Sequence, residues 1–144
     1  MSDNRAGYDD YCDYWALIRY RGAVASAIRG RRGQAFLRDL ISALDAMPER
    51  RLIADSFSTD AGVCALGAVC AFRGVEPPDT RYLDYIPPAA AAGLGIATAL
   101  AAEIMHENDD CGPHSESPEQ RWQRMRDWAG QKLNEGKLGE NHDD

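Results

Sequence analysis

Residues 34–48, QAFLRDLISALDAMP, decide the fold class of this chain. Apolar side chains recur here every three or four positions, so a helix would place them on one face: Phe36, Leu37, Leu40, Ile41 and Leu44. Charged and polar residues fall between them, and Pro48 predicts the end of the helix. We therefore expect an amphipathic helix that buries its apolar face against other elements.

Helical periodicity also occurs on both sides of this segment. Upstream, residues 14–28 repeat apolar side chains at helical spacing, and Gly22 interrupts the repeat, which predicts either one imperfect helix or two short ones. Downstream, residues 66–73 and 96–108 predict two further helices, and the alanine-rich stretch 89–95 predicts a short helix and a turn between them.

The last helix has the clearest predicted start. Ser117, Pro118 and Gln120 form the pattern of a capping box, in which side chains satisfy the free amides of the first turn. Gly136 predicts the end of this helix, so residues 137–144 are expected to form a frayed tail.

One short β-hairpin is expected between the helices. Residues 51–57, RLIADSF, are typical of a short strand, and residues 59–62 have the composition of a turn. Residues 63–64 are expected to pair back with that strand.

These elements predict a mainly α fold of about five helices with one short β-hairpin, in a single compact domain over residues 1–136. The length of 144 residues suits one domain. Residues 1–13 are polar and are expected to be loosely ordered. The proline-rich loop 75–88 is expected to pack Tyr82 and Tyr85 onto the body of the domain.

Charge is unevenly distributed along the chain. The net charge is −7, and it all comes from residues 61–144, because residues 1–60 carry equal numbers of acidic and basic side chains. A basic island lies between Tyr14 and Leu44, where Asp39 is the only acidic residue. Its members are Arg19, Arg21, Arg29, Arg31, Arg32 and Arg38.

Arginine suits bidentate contacts with phosphate or carboxylate groups. The candidate binding residues are therefore Arg19, Arg21, Arg29, Arg31 and Arg32. The alternative is a solvated, arginine-coated surface that is partly paired with the acidic half of the same molecule. Trp122 is a further candidate, as an anchor for a partner, although core packing is the alternative for it.

The beginning of the chain is acidic and polar, unlike a signal peptide, so a cytoplasmic location is expected. Free thiols then follow for the four cysteines, Cys12, Cys64, Cys70 and Cys111. The uncharged run 85–102 is too rich in alanine, glycine and proline to predict a membrane span. No cofactor is expected.

Residues 106–114, HENDDCGPH, bring together several groups that can bind a metal ion. Cys111 and His114 have the spacing of two zinc ligands, and His106 is a third candidate. The alternative is a solvated helix end followed by a turn.

Cys64 follows a predicted turn at the start of a helix, where the helix N-terminus can stabilise a thiolate. With His106 or His114 as base, and Asp109 or Asp110 to orient it, Cys64 would form a cysteine-dependent hydrolase site. The alternative is a small, buried apolar residue.

The predicted helices around residues 93–95 have the layout of a helix-turn-helix. The second of them carries glutamates and no lysine or arginine, so it lacks the charges that meet DNA phosphates. Direct DNA binding is therefore not expected.

Four segments carry a resemblance: RGAVASAIRGRRGQAFLRDLISALDAMPERRLIA at 21–54, CALGAV at 64–69, LGIATALAAEIMHEND at 94–109 and SPEQRWQRMRDW at 117–128. In these segments the chain resembles small uncharacterised proteins of phages, prophages and their bacterial hosts. The resemblance implies a mobile-element context and no particular chemistry.

We expect a non-enzymatic interaction protein that binds and modulates a host protein or nucleoprotein complex, for example as a defence-system inhibitor of the anti-CRISPR kind. The alternative hypothesis is a cysteine-dependent hydrolase or small metal-binding protein, built from Cys64 and the segment from His106 to His114. Labelling of Cys64 in the folded protein distinguishes the two.

Overall fold

The computed structural model describes residues 3–142, with side chains for residues 14–136. This part of the chain contains six helices and a two-stranded hairpin, so the predicted class, mainly α with one β-hairpin, is confirmed. The elements in chain order are α1 (Asp3–Arg29), α2 (Arg31–Ala46), β1 (Ser58–Thr59), β2 (Gly62–Val63), α3 (Ala65–Arg73), α4 (Pro87–Leu94), α5 (Thr98–Asp110) and α6 (Pro118–His142).

Helix α2 lies at the centre of the packing, between α3 and α6, while α5 packs against α1 and α4. The apolar face predicted for α2 is buried, with Phe36, Leu37, Leu40 and Leu44 almost inaccessible to solvent. One continuous apolar core joins this face to side chains from α3, α5 and α6.

The predicted helix ends on either side of the core are observed. Helix α2 ends at Ala46, and Met47 adopts the extended conformation that a following proline favours. At the start of α6 the Ser117 amide donates to Gln120 Oε1 at 2.8 Å, and the Gln120 amide donates to Ser117 Oγ at 3.1 Å. The capping box is therefore formed in both directions.

Of the two predicted arrangements, one helix or two, the first helix adopts the former. It is continuous through Gly22, because this residue faces open space and only its low helix propensity opposes the helix. The backbone is helical from Asp3, earlier than the predicted start at Tyr14. The side chains of residues 1–13, predicted to be loosely ordered, lie outside the described residues.

The last helix does not end at Gly136 but continues to His142. Gly136 is buried against Gln34, and a Cβ atom there would collide with the Gln34 amide group. This glycine therefore permits close packing of α6 on α2 rather than ending the helix. The side chains of the predicted tail, residues 137–144, lie outside the described part of the chain.

The hairpin is present, but the strand predicted at residues 51–57 is wrong. Ser58 pairs with Val63 and Thr59 with Gly62 in the antiparallel hairpin. Asp55 has a φ of 68°, a left-handed conformation that interrupts an extended strand. The irregular segment is instead held by single backbone hydrogen bonds, such as the one from the Cys64 amide to Phe57 O at 3.0 Å.

The predicted loop after α3 is observed, but its tyrosines do not pack onto the body. Tyr82 is 88% exposed and Tyr85 is 64% exposed. The ring of Tyr82 lies beside the Arg81 guanidinium, at 5.7 Å, on the outside of the loop. This surface contact takes the place of the predicted core contact.

The chain direction bends by 113° between α4 and α5, and Gly95 lies between these helices in a left-handed conformation (φ 71°). None of the described helices has, by itself, the length and hydropathy of a membrane span, and α4 and α5 meet that criterion only when the bent pair is taken together.

Candidate functional site

The six arginines of the basic island are exposed on α1 and α2, and we call them together the basic face. Every one of them is exposed, so the island faces solvent: Arg19, Arg21, Arg29, Arg31, Arg32 and Arg38. Three of the six, Arg29, Arg31 and Arg32, surround Gly30, where α1 ends and α2 begins.

The basic face differs in its pairing from the arginines that follow Arg50, while Arg50 itself forms no ion pair among the described side chains and covers the Trp122 ring. The arginines that follow Arg50, at positions 51, 73, 81, 121, 124 and 126, all form ion pairs with Asp or Glu, at 2.6–3.4 Å. None of the six arginines of the basic face forms an ion pair with a side chain in the described range 14–136. The alternative of pairing with the acidic half therefore finds no support in these contacts.

The N-terminus of α2 adds to the positive potential of this face. Gly30 caps the helix without a side-chain hydrogen bond, and the first turn contains no acidic residue. A helix N-terminus carries a partial positive charge, which Arg31 and Arg32 here reinforce instead of neutralising. Both arginines border a groove of about 460 Å³ between the start of α2 and the start of α5.

Trp122 does not belong to this surface. It is 3% exposed, and its Nε1 donates to Leu44 O at 3.1 Å. The Arg50 guanidinium covers the ring at 4.6 Å from its centre. Trp122 is thus a core residue that joins α6 to α2, which corrects its prediction as a partner anchor.

The segment 106–114 forms the end of α5 and the following turn. His106 Nδ1 lies 3.2 Å from Asp110 Oδ2, and both side chains are exposed. Cys111 and His114 are also exposed. Within the described residues, no three His, Cys, Asp or Glu side chains are arranged to hold a metal ion. Cys12 lies outside the described side chains.

The acidic end of α5 is neutralised by Arg124 from α6. Its guanidinium donates to Glu107 O at 2.6 Å and to Asn108 O at 3.3 Å, the free carbonyl groups of the last turn. The same group binds both carboxylate oxygens of Glu116, at 2.6 and 3.0 Å. These contacts give the acidic segment a structural role.

Cys64 is the N-terminal cap of α3. Its Sγ accepts a hydrogen bond from the Gly67 amide at 3.4 Å. The thiol is 6% exposed, and burial raises its pKa to about 11, so it stays protonated at neutral pH. No hydrogen bond joins it to a histidine among the described side chains, and His106 and His114 are exposed. The geometry lends no support to the hydrolase alternative.

The structure does bring Cys64 and Asp109 together, at one cavity beside α5. It also places Asp55 and Arg81 there, which the sequence patterns did not single out. Asp55 lay in a predicted strand and Arg81 in a loop, so no local pattern marked either residue.

Asn108, one residue before Asp109, is the buried polar link at this place. Its Nδ2 donates to Ile53 O at 2.9 Å, and its Oδ1 accepts from the Ala65 amide at 3.1 Å. It therefore connects α5, the irregular segment and the start of α3.

No protein-family model matches this chain, and neither a curated protein nor a solved structure matches it.

Proposed function

We propose that this chain is a non-enzymatic interaction protein whose basic face binds an anionic surface of a partner protein, free or within a nucleoprotein complex. The observation that carries the proposal is the contrast in pairing: the arginines of the basic face are exposed and unpaired within the described side chains, while all six arginines from Arg51 onward form ion pairs.

Two arginines of the basic face oppose folding, whereas Arg29 stands in the last turn of α1, where the helix dipole favours a positive charge. Arg31 and Arg32 stand in the first turn of α2, where a positive charge is disfavoured by the helix dipole by a few tenths of a kcal/mol, up to about 1 kcal/mol. Residues that break a local rule of stability in this way are characteristic of functional surfaces.

The overall charge restricts the binding of an acidic partner to the basic face. The molecule as a whole carries −7, so nucleic acid repels it at long range, whereas an acidic partner is attracted at the basic face alone. The proposal also includes a phage or prophage context and a host target such as a defence complex, which the sequence resemblance supports. It includes a cytoplasmic location, which the acidic and polar start of the chain supports.

The test is a pull-down from lysate of the bacterium that carries the gene, at low and at high salt. Two variants are compared with the wild type, and each removes three positive charges. The first alters the basic face: Arg29→Gln, Arg31→Gln and Arg32→Gln. The matched control alters ion-paired residues, of which Arg51 is exposed and the other two are partly exposed: Arg51→Gln, Arg126→Gln and Lys132→Gln.

We expect one protein partner that the wild type and the control retain at low salt and release at high salt. The basic-face variant should retain it at least about tenfold less, the effect of losing about 1.4 kcal/mol of binding free energy. Nuclease treatment separates direct protein binding from binding through nucleic acid. Equal retention by both variants, or no specific partner at either salt concentration, would overturn the proposal.

A further inference from the structure

A cavity of about 480 Å³ lies between the segment 55–58, the start of α3, the loop 77–81 and one side of α5. It is separate from the basic face, which lies on α1 and α2. Its volume is within the range of small-molecule binding sites, about 300–1,000 Å³.

The inner wall of this cavity is apolar. It is formed by side chains from the irregular segment, α3, the residue before α4, and α5: Phe57, Leu66, Ile86, Ile104 and Met105. Leu66 and Ile104 are fully buried core residues, so this wall is backed by the packed interior. An apolar surface of this kind favours an apolar ligand body that displaces water.

The rim of the cavity is acidic. Asp55, Asp79 and Asp109 line it, and Arg81 is its one cation among the described residues. Arg81 already forms an ion pair with Asp79, with Nε at 3.1 Å from Oδ1 and Nη2 at 3.0 Å from Oδ2. This contact lowers the pKa of Asp79 and leaves the charges of Asp55 and Asp109 without a neutralising cation in the cavity.

Asp109 is held in a fixed position. Its Oδ1 accepts from the Asp55 amide at 3.0 Å and from Asn108 Nδ2 at 2.8 Å. No described group donates a hydrogen bond to its Oδ2, which leaves this oxygen available to a donor in the cavity. Asn108 is itself 1% exposed and fully hydrogen-bonded, so the carboxylate is oriented by the core.

The acidic rim does not have the geometry of a bare metal site, because no three metal-binding side chains are suitably grouped among the described residues. A cation on an apolar body matches both the rim and the inner wall. We propose that this cavity binds a small organic cation, a protonated amine carried on an apolar group, with the ammonium at Asp109 and Asp55 and the apolar group against the inner wall.

The test uses two probes of nearly equal shape, phenethylamine and phenethyl alcohol, titrated into the full chain while amide chemical shifts are recorded by NMR. We expect saturable shifts from the amine at the residues that line the cavity. The alcohol should bind at least about tenfold more weakly, because it lacks the charge that meets the carboxylates. The amine affinity should also fall as salt concentration rises.

Asp109→Asn removes the charge and keeps the shape, since an amide oxygen can still accept from the Asp55 amide. We expect at least about tenfold weaker amine binding and unchanged alcohol binding. Asp127→Asn is the matched control, because it removes one exposed carboxylate on α6, outside the cavity.

Asp55→Asn provides a second test if Asp109→Asn does not fold, and asparagine tolerates the left-handed conformation at this position. It should weaken amine binding in the same direction. Equal affinities for amine and alcohol, shifts confined to other parts of the surface, or no effect of either aspartate substitution in a folded variant would overturn the proposal.

Discussion

Asp39 Oδ2 accepts two hydrogen bonds from the Arg73 guanidinium, at 3.2 Å from Nε and 2.8 Å from Nη2. Asp39 is the only acidic residue between Tyr14 and Leu44, so this ion pair occupies the one charge that could offset the basic face within its own segment. The Arg73 guanidinium thus neutralises the one acidic side chain of this segment, while Tyr20 on α1 donates to a carboxylate of the acidic half, Glu103 Oε2, at 2.9 Å.

Arg73 makes more than this ion pair, so its replacement should cost more stability than that of Asp39. Its Nη1 donates to Leu94 O at 2.9 Å, and its guanidinium lies 5.2 Å from the Phe36 ring centre. We expect Arg73→Gln to lower the free energy of unfolding by about 1–2 kcal/mol. Asp39→Asn should lower it by less than about 1 kcal/mol, as for other exposed pairs. Urea denaturation measures both, and equal losses would contradict this ranking.

Gly33 is required by the contact between the first two helices. A Cβ atom there would collide with the backbone carbonyl oxygen of Ala27. This atom belongs to the backbone of α1, so it cannot move aside as the end of a flexible side chain can. We expect Gly33→Ala to lower the free energy of unfolding by about 2–4 kcal/mol through displacement of α2 from α1. Thermal or urea unfolding followed by circular dichroism measures the loss.

Gly22→Ala is the control for that substitution. Gly22 lies within α1, and a Cβ atom there meets nothing within 4 Å. Alanine is favoured over glycine in helices, so this variant should be more stable than the wild type by about 0.5–1 kcal/mol. A similar effect of the two substitutions would show that the close approach at Gly33 is unimportant.

Glu116 should contribute to the acid dependence of stability. Its hydrogen bonds with Arg124 lower its pKa below the ordinary value of 4.5. A carboxyl whose pKa is lower in the folded state stabilises the fold above its unfolded pKa, and this stabilisation is lost as pH falls through the folded value. Glu116→Gln should therefore flatten the decline of unfolding free energy below about pH 4.5, and should cost about 2 kcal/mol at neutral pH.

Glu119→Gln is the matched control on the same stretch of chain. Glu119 pairs with Arg51 at 3.4 Å, but both side chains are about half exposed, at 60% and 47%. We expect a change below about 1 kcal/mol and a pH profile that follows the wild type. If both variants show the same dependence of unfolding free energy on pH, the Arg124 contact has no special role in acid stability.

Local patterns predicted the elements whose stability is local or periodic. The spacing of Phe36, Leu40 and Leu44 located α2 because it matches the helical repeat, and the Ser117–Gln120 pair located the start of α6. Gly22 left one helix or two open, and Gly136 gave a wrong helix end, because the effect of a glycine depends on its neighbours in space as well as on helix propensity.

The candidate sites depend on contacts that sequence patterns do not reveal. Asp55 and Asp109 are 54 positions apart, and only folding joins them in a single hydrogen bond. The unpaired state of the basic face also depends on where the acidic side chains lie, since Asp39 could equally have paired with a neighbour in sequence. The sequence singled out Asp109 and the arginines of the basic face as candidates, but it did not show which groups each of them contacts.

The cysteines give a direct test of the hydrolase alternative. Cys64 and Cys70 are 6% and 2% exposed, and burial raises the pKa of both thiols. Partial burial and the neighbouring Glu107 raise the pKa of Cys111 as well, but Cys111 is exposed and therefore accessible to the reagent. Because the thiolate is the reactive form, we expect iodoacetamide at pH 8 to label Cys111 in the folded protein, and Cys64 and Cys70 only after denaturation in urea. Peptide mapping by mass spectrometry distinguishes the sites. Labelling of Cys64 in the folded protein as fast as in urea would instead show an accessible, activated thiol and favour the hydrolase alternative over an interaction protein.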